Sequence, residues 1–358
     1  MRSALALARR GLGNTWPNPS VGCIIVNDGR VVGRAVTASG GRPHAEPTAL
    51  AMAGSTARGA TAYVTLEPCC HWGRTPPCTD ALIAAGVARV VIGARDPDPR
   101  VNGQGVAKLR ASGITVDQDI LADDANEVLT GFRQRVTTGR PLVTLKLAST
   151  LDGRIASHGG ASRWITRPAA RRAAHALRGR HDAIMVGVGT VLADDPDLTC
   201  RLPGFRPSPI VRVVADSHLR TPLTAHLVAT ARETPTWMLI RHGTDATRRA
   251  AFADLGIRLI ELPGAKAGVD LSEGLMALGT SGITRLLVEG GAQVAAALLR
   301  SRLVDRIAWF HAPAVMGGDG WPAVQAFGID LLDEMPRFIR RHATPLGDDM
   351  LTEFERAE

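Results

Sequence analysis

The side chains most able to do chemistry crowd into two short stretches. His44 and Glu46 stand in PHAEPTAL, and Cys69 and Cys78 fall in EPCCHWGRTPPC, which holds three of the chain's five cysteines. A disulfide, a metal and chance are the competing explanations. An odd, clustered cysteine count in a long chain favours a reducing compartment and a metal or catalytic role over a disulfide framework. Zinc takes histidine nitrogen and cysteine sulfur, and a catalytic zinc keeps three protein ligands and one water, whose pKa falls toward about 7. His44, Cys69 and Cys78 supply the three ligands. Glu46, two residues from His44, can take a proton from that water and return it to a leaving amine, the arrangement of zinc deaminases.

The spacing departs from the short form of such sites. Eight residues separate Cys69 from Cys78, so the intervening loop, with Arg74 and Pro76-Pro77, must be shaped to close on a metal or to meet a phosphate. A lone H-x-E is usually structural, and free cysteines are often small buried hydrophobes. The joint pattern of His-x-Glu, a strand, Pro-Cys and a second Pro-Cys at a helix start decides for zinc. Cys23, Cys70 and Cys200 are not expected to be ligands. Cys70 as a fourth ligand would instead mark a closed structural zinc in a binding module.

These residues need elements to hold them. Helix is expected over 3–10, strand over 21–26, a turn at Asp28-Gly29 and a returning strand over 30–36. A helix over 44–54, a strand over 61–66, a helix over 78–85 and a strand over 89–92 follow, then mostly helix over 106–136 with a short strand near 114–116. The ligands thus stand at helix starts beside strand ends, where an α/β fold gathers its ligand site. A joint at TTGRP separates 1–140 from 141–358, and strands recur near 142–147, 183–186, 210–215, 236–240, 258–261, 285–288 and 305–310. Gly187–Leu192 and Gly290-Gly291 each follow a strand and could bring backbone amides to phosphate, although neither is a dinucleotide fingerprint.

The bulk composition sets limits. At 358 residues, 45% hydrophobic and 21% charged, the chain can bury two cores. No apolar run approaches a membrane span, and the start is too short for a secretory leader, so a soluble cytoplasmic protein is expected. The net charge of +8 is spread along the chain, with arginine pairs at Arg171-Arg172, Arg248-Arg249 and Arg340-Arg341 read as lying on helices. A solvated basic surface or phosphate ligands both suit this.

TWPNPSVGCIIV, PHAEPTAL, AYVTLEPCCHWGRTPPC and DPDPRVNGQG in the first part, with LKLASTLDGRIA, SRWIT, GVGTVLADDPDLTCR, VADS and VEGGAQVAAALL in the second, resemble the bifunctional pyrimidine deaminase/reductase family of bacterial riboflavin biosynthesis over nearly the whole chain. The resemblance implies a cytidine deaminase-like three-layer α/β/α domain followed by a dihydrofolate reductase-like α/β domain. It places zinc on His44, Cys69 and Cys78, the proton shuttle on Glu46, and pyrimidine and ribosyl contacts on Asn18 and Asp96. NADPH contacts fall on Ala148, Trp164, Thr190, Asp194, Ser217 and Gly291, Ala292, Gln293, Val294, Ala295, Ala296 and Ala297. Substrate contacts in the second part fall on Ser162, Arg178, Leu198, Arg201 and Glu289.

The implied substrate is a phosphorylated diaminopyrimidinone ribosylamine, deaminated and then reduced to a ribityl product, with no nucleic acid or membrane partner and a homo-oligomeric assembly. Cys70 stands for a usual Ser, Trp72 for a usual His or Tyr, and Pro47-Thr48 for a usual Val-His, changes that touch the pocket rim and no ligand. The competing reading is a zinc deaminase of bases in nucleic acid with an accessory C-terminal domain. It predicts a basic stripe interleaved with aromatics, and aromatics are only 4%.

Overall fold

The computed structural model describes all residues except Arg206, Pro207, Lys266, Ala267 and Glu358. The chain forms two compact units, Met1–Arg140 and Pro141–Glu358.

The first unit runs α1 (Arg2–Gly11), β1 (Gly22–Asn27), β2 (Arg30–Val36), α2 (Ala45–Ala53), β3 (Thr61–Leu66), α3 (Cys78–Ala84), β4 (Arg89–Ala94), α4 (Gln104–Ala111), β5 (Thr115–Asp117) and α5 (Ala122–Thr138). The sheet order is β2-β1-β3-β4-β5. β1 pairs antiparallel with β2 and β3, while β3, β4 and β5 run parallel. Asp28 and Gly29 both take positive φ (46° and 73°), the twist a two-residue hairpin requires. α1 packs against β1 and α5, and α2 against β1, β2 and α3, so helices cover the sheet in layers. Leu5, Ile25, Val64, Leu82, Ile92, Leu109 and Leu129 form the core between them.

The second unit begins β6 (Leu142–Ser149), β7 (Arg154–Ala156), α6 (Pro168–Gly179), β8 (Ala183–Gly187), α7 (Val188–Asp194), β9 (Val211–Ala215), α8 (His226–Ala229), β10 (Thr236–Arg241), α9 (Ala246–Asp254) and β11 (Arg258–Leu262). It continues β12 (Gly264–Ala265), β13 (Gly268–Val269), α10 (Leu271–Thr280), β14 (Arg285–Glu289), α11 (Ala292–Arg300), β15 (Arg306–His311), β16 (Trp321–Pro322), β17 (Phe338–Leu346) and β18 (Asp349–Arg356). The main sheet is ordered β11-β10-β9-β8-β14-β6-β15-β18-β17. Strands from β11 to β15 run parallel, and β18 and β17 close the edge antiparallel. Every residue of β8 and β14 is buried, as befits central parallel strands covered on both faces.

One expectation is corrected. Arg340 and Arg341 lie in strand β17, with Arg340 opposite Phe354 of β18, and not on a helix. FIRRHATPL has no apolar stripe at helical period, and on an exposed edge strand it shows no alternating burial either. Among the described residues, no helix is long and apolar enough to cross a membrane.

Candidate active sites in the two units

In the first unit, β3 and β4 run parallel, and their C-terminal ends lead into the loops that carry Cys69 and Asp96. His44 is the N-cap residue of α2, in extended conformation, so its ring leaves the helix at its start. Cys78 is the first residue of α3, placed by the N-cap Pro77, which is extended with ψ 143°. Three segments thereby bring one nitrogen and two sulfurs together. His44 Nδ1 lies 3.4 Å from Cys78 Sγ and 3.8 Å from Cys69 Sγ. The donor atoms all fall within 4.8 Å of one another. Tetrahedral zinc with bonds of about 2.0 Å to nitrogen and about 2.3 Å to sulfur needs donor separations of about 3.5–3.8 Å. The donor set fits the ion.

The electrostatics suit a cation. The Cys78 thiol, its backbone N–H (3.3 Å) and His44 stabilise the Cys69 thiolate, which holds its pKa well below the usual thiol range despite burial. Cys78 moves the other way, its thiol held by Cys69 and by burial, so the pair keeps one proton that a bound cation would displace. Glu46, on the first turn of α2, is 4% exposed. Burial raises its carboxyl above the usual range, the Cys69 charge adds to this, and its side chain interacts with Cys78. Burial of this kind favours the protonated carboxyl, the form that can hand a proton to a leaving amine.

Cys70 is not part of the donor set; its sulfur faces the Arg100 carbonyl at 3.6 Å. Asn18 Nδ2 is fixed by the Gly41 carbonyl at 2.8 Å and sits 3.5 Å from His44 Nε2. Asp96 is buried, which lifts its pKa to about 7, with Asp98, Glu67 and Cys69 charges adding; Asp98 N–H donates to it at 2.8 Å. Trp72 is exposed on the loop between the cysteines.

In the second unit a cavity of about 520 Å³ is lined by Lys146, Ala148, Ser162, Trp164, His175, Arg178, Arg201, Glu289 and neighbours. Six of the residues expected from the sequence meet there: Ala148, Ser162, Trp164, Arg178, Arg201 and Glu289. Glu289 closes β14 and Lys146 is its partner on β6. Arg178 grips Glu289 through two bonds, Nε–Oε1 at 2.7 Å and Nη2–Oε2 at 2.9 Å, and Lys146 Nζ lies 3.8 Å from Oε2. Burial alone would raise the Glu289 pKa, but the charges of Arg178 and Lys146 hold it at about 2. Burial lowers the pKa of the Lys146 ammonium and of the His175 imidazole.

The other expected residues stand outside that cavity's lining. Thr190 on α7 faces the glycines after β14: a Cβ on Gly290 would lie 3.3 Å from its Oγ1 and one on Gly291 3.5 Å. Gly290 and Gly291 both hold positive φ, which lets β14 turn directly into α11. Ala295 and Ala296 are buried in the core, whereas Ala292 and Gln293 start the helix at the surface of that turn. Val294 packs on Gly187, where a Cβ would lie 2.7 Å away. Asp194 is exposed and pairs with Arg163 at 3.3 Å. Ser217 follows β9, and its carbonyl accepts the Arg241 N–H at 3.1 Å. Leu198 is buried in the core at positive φ (52°). Sequence reasoning missed Lys146, although a lysine inside the apolar strand LVTLKLAS is itself a signal, since lysine is rarely buried unless partnered.

Residues 1–94 match the cytidine and deoxycytidylate deaminase zinc-binding region, and residues 141–352 match the RibD C-terminal domain. The riboflavin biosynthesis protein RibD of Aquifex aeolicus is 40% identical over 356 residues, covering 99% of this chain and 97% of that one. That of Escherichia coli is 41% identical, covering 98% and 96%. The chain belongs to the RibD family. Solved RibD structures agree in fold. Acinetobacter baumannii RibD superposes with a TM-score of 0.89 at 37% identity, covering 100% of this chain and 98% of that one. A Thermotoga maritima protein described as a diaminohydroxyphosphoribosylaminopyrimidine deaminase/5-amino-6-(5-phosphoribosylamino)uracil reductase gives 0.86 at 33%, covering 100% and 97%.

Proposed function

We propose that the chain is a bifunctional enzyme of riboflavin biosynthesis. Its first unit deaminates a phosphorylated diaminopyrimidinone ribosylamine by hydrolysis, and its second reduces the ribosyl group to ribityl with NADPH. The observation that carries the reading is the meeting of His44, Cys69 and Cys78 beside the buried Glu46, in a chain aligned end to end with RibD relatives.

His44, Cys69 and Cys78 would hold zinc, which when bound would lower the pKa of the water that adds to the ring carbon bearing the amine. Glu46 accepts the water's proton at its carboxylate and delivers it to the leaving nitrogen, which departs as ammonia. Asn18 and Asp96 orient the pyrimidine and its ribosyl group. Burial of Glu46 keeps bulk water from competing for that proton.

NADPH, when bound in the second unit, would supply the hydride for the sugar's first carbon. The ring oxygen that is released there needs a proton. Lys146, a half-buried ammonium with a lowered pKa in the cavity wall, donates it, and Glu289 holds the ammonium in place. Arg178 and Arg201 line the same cavity and bring guanidinium charge to a phosphate there, Arg178 with the N–H groups that Glu289 and the Thr199 carbonyl do not take. Ala148, Ser162 and Trp164 shape the wall where nicotinamide and sugar meet. Thr190, Asp194, Ser217, Leu198 and the Gly291–Ala297 segment hold the remainder of cofactor and substrate.

We place the protein in the cytoplasm, where its five free cysteines stay reduced, and as a homo-oligomer. The edge strand β17 supports the latter, since its residues from Ile339 to Pro345 are all exposed and a second copy would cover that edge.

Glu46→Gln tests the reading. The variant should keep its zinc, lose deamination by about 10²–10⁴-fold, and still reduce substrate that is already deaminated. Undiminished deamination would remove Glu46 as the shuttle and with it the proposed first step.

A further inference from the structure

Glu67 follows β3 directly, two residues before Cys69, and it is 2% exposed. The deamination steps leave it without a task. Its carboxylate is satisfied by backbone from a different part of the unit. Gly103 N–H donates to both oxygens, at 3.0 Å to Oε1 and 2.9 Å to Oε2. Val106 N–H donates to Oε1 at 3.1 Å, and Asp96 N–H reaches Oε2 at 3.4 Å. Gly103 is the N-cap of α4, a residue with no side chain to cap with, and Val106 lies in the first turn. A carboxylate from the end of β3 therefore does the capping that the helix's own sequence cannot.

The fit is close. A Cβ on Gly105 would lie 2.3 Å from the Pro68 carbonyl oxygen and 3.1 Å from Glu67 Oε1. So α4 presses on the peptide between Glu67 and Cys69, and Gly105 of VNGQG is there because that peptide leaves no room. The loop clamped in this way begins at Asp96, whose own carboxylate then accepts Asp98 N–H. One buried side chain thus joins the strand end that carries a metal ligand to the loop that carries Asp96.

We infer that Glu67 is a positioning residue for the deamination: its carboxylate sets the Asp96–Gly103 loop against the Cys69 segment and so fixes the pyrimidine relative to the metal. The inference rests on the reading of the first unit as a deaminase. Glu67→Gln keeps the shape but replaces one acceptor oxygen by an NH2 group facing backbone donors.

The experiment compares wild type, Glu67→Gln and Gly105→Ala as full-length, zinc-analysed proteins. For Glu67→Gln we expect wild-type zinc content, faster amide exchange at Gly103 and Val106, and a kcat for deamination lowered by about 10²-fold, the penalty of a misplaced reactant. KM should change far less, because the loss falls on alignment in the transition state. Reduction of the deaminated substrate should be unaffected. Gly105→Ala, which keeps the carboxylate but pushes α4 off Pro68, should show the same kcat loss. A variant that melts earlier yet keeps its kcat would make Glu67 merely structural and overturn the inference. Loss of zinc in step with kcat would overturn it too, by assigning Glu67 to the metal site. Wild type that fails to deaminate at all would sink the functional reading, a result distinct from a fully active Glu67→Gln.

Discussion

The two units put their chemistry at the same place in the fold, the C-terminal ends of parallel strands, but build it from different materials. The first unit uses soft donors drawn from a short span, with His44 and Cys78 only 34 residues apart. The second uses charges from distant strands and helices, with Arg178 and Glu289 111 residues apart. A metal site announces itself by residue type, because few side chains bind zinc and three must converge. A charge cluster does not, because arginine and glutamate are ordinary surface residues until the fold buries them together.

That difference can be sharpened. The largest effect expected in the second unit comes from Glu289→Gln. Breaking a buried pair leaves Arg178 and Lys146 without their counter-charge, at a cost of about 3–5 kcal/mol. Urea unfolding should record that loss, and assays should show reduction abolished with deamination and zinc content intact. Simultaneous loss of both activities would mean that the two sites are not independent.

A smaller contrast is expected in pH dependence, where one buried group from each unit, His181 and Asp96, carries the opposite sign. His181 is buried with Nδ1 at 2.8 Å from the Leu177 carbonyl, and burial lowers its pKa to about 3. The unfolded chain, near about 6.5, then binds more protons across that window, so this contribution is lost as pH falls from about 6.5 through about 3. Asp96, raised to about 7 by burial, binds more protons in the folded state above about 3.9. Its contribution is lost as pH rises through about 7. Unfolding across these windows should show His181→Asn blunting the acid-side loss and Asp96→Asn blunting the loss toward neutral pH. Equal slopes in variants and wild type would contradict both assignments.

Much of the fold is legible in the residues themselves. The β1–β2 turn, the helix from His44 and the parallel strands follow from Asp28-Gly29, Gly54 and runs such as AIMVG, where local chemistry and burial agree. The C-terminal β17–β18 pair is not legible in this way, because an exposed edge strand imposes no apolar period on FIRRHATPL. The candidate metal-binding set His44, Cys69 and Cys78, with Glu46, stands out by residue type and spacing alone. Lys146 and Glu67 do not, because each acts through partners that only the sheet register and a distant helix start bring near. The alternative of a nucleic-acid deaminase with an accessory domain fails on the second half of the chain, which matches the RibD C-terminal domain over residues 141–352.

The central claim is that one chain performs two ordered steps in two units. It is tested most directly by giving zinc-loaded protein the phosphorylated diaminopyrimidinone ribosylamine and following the products by mass spectrometry, with and without NADPH. Exchange of an amine for oxygen is expected in both cases, and addition of two hydrogens only with NADPH. Bound zinc with no exchange, or hydrogen addition without NADPH, would contradict it.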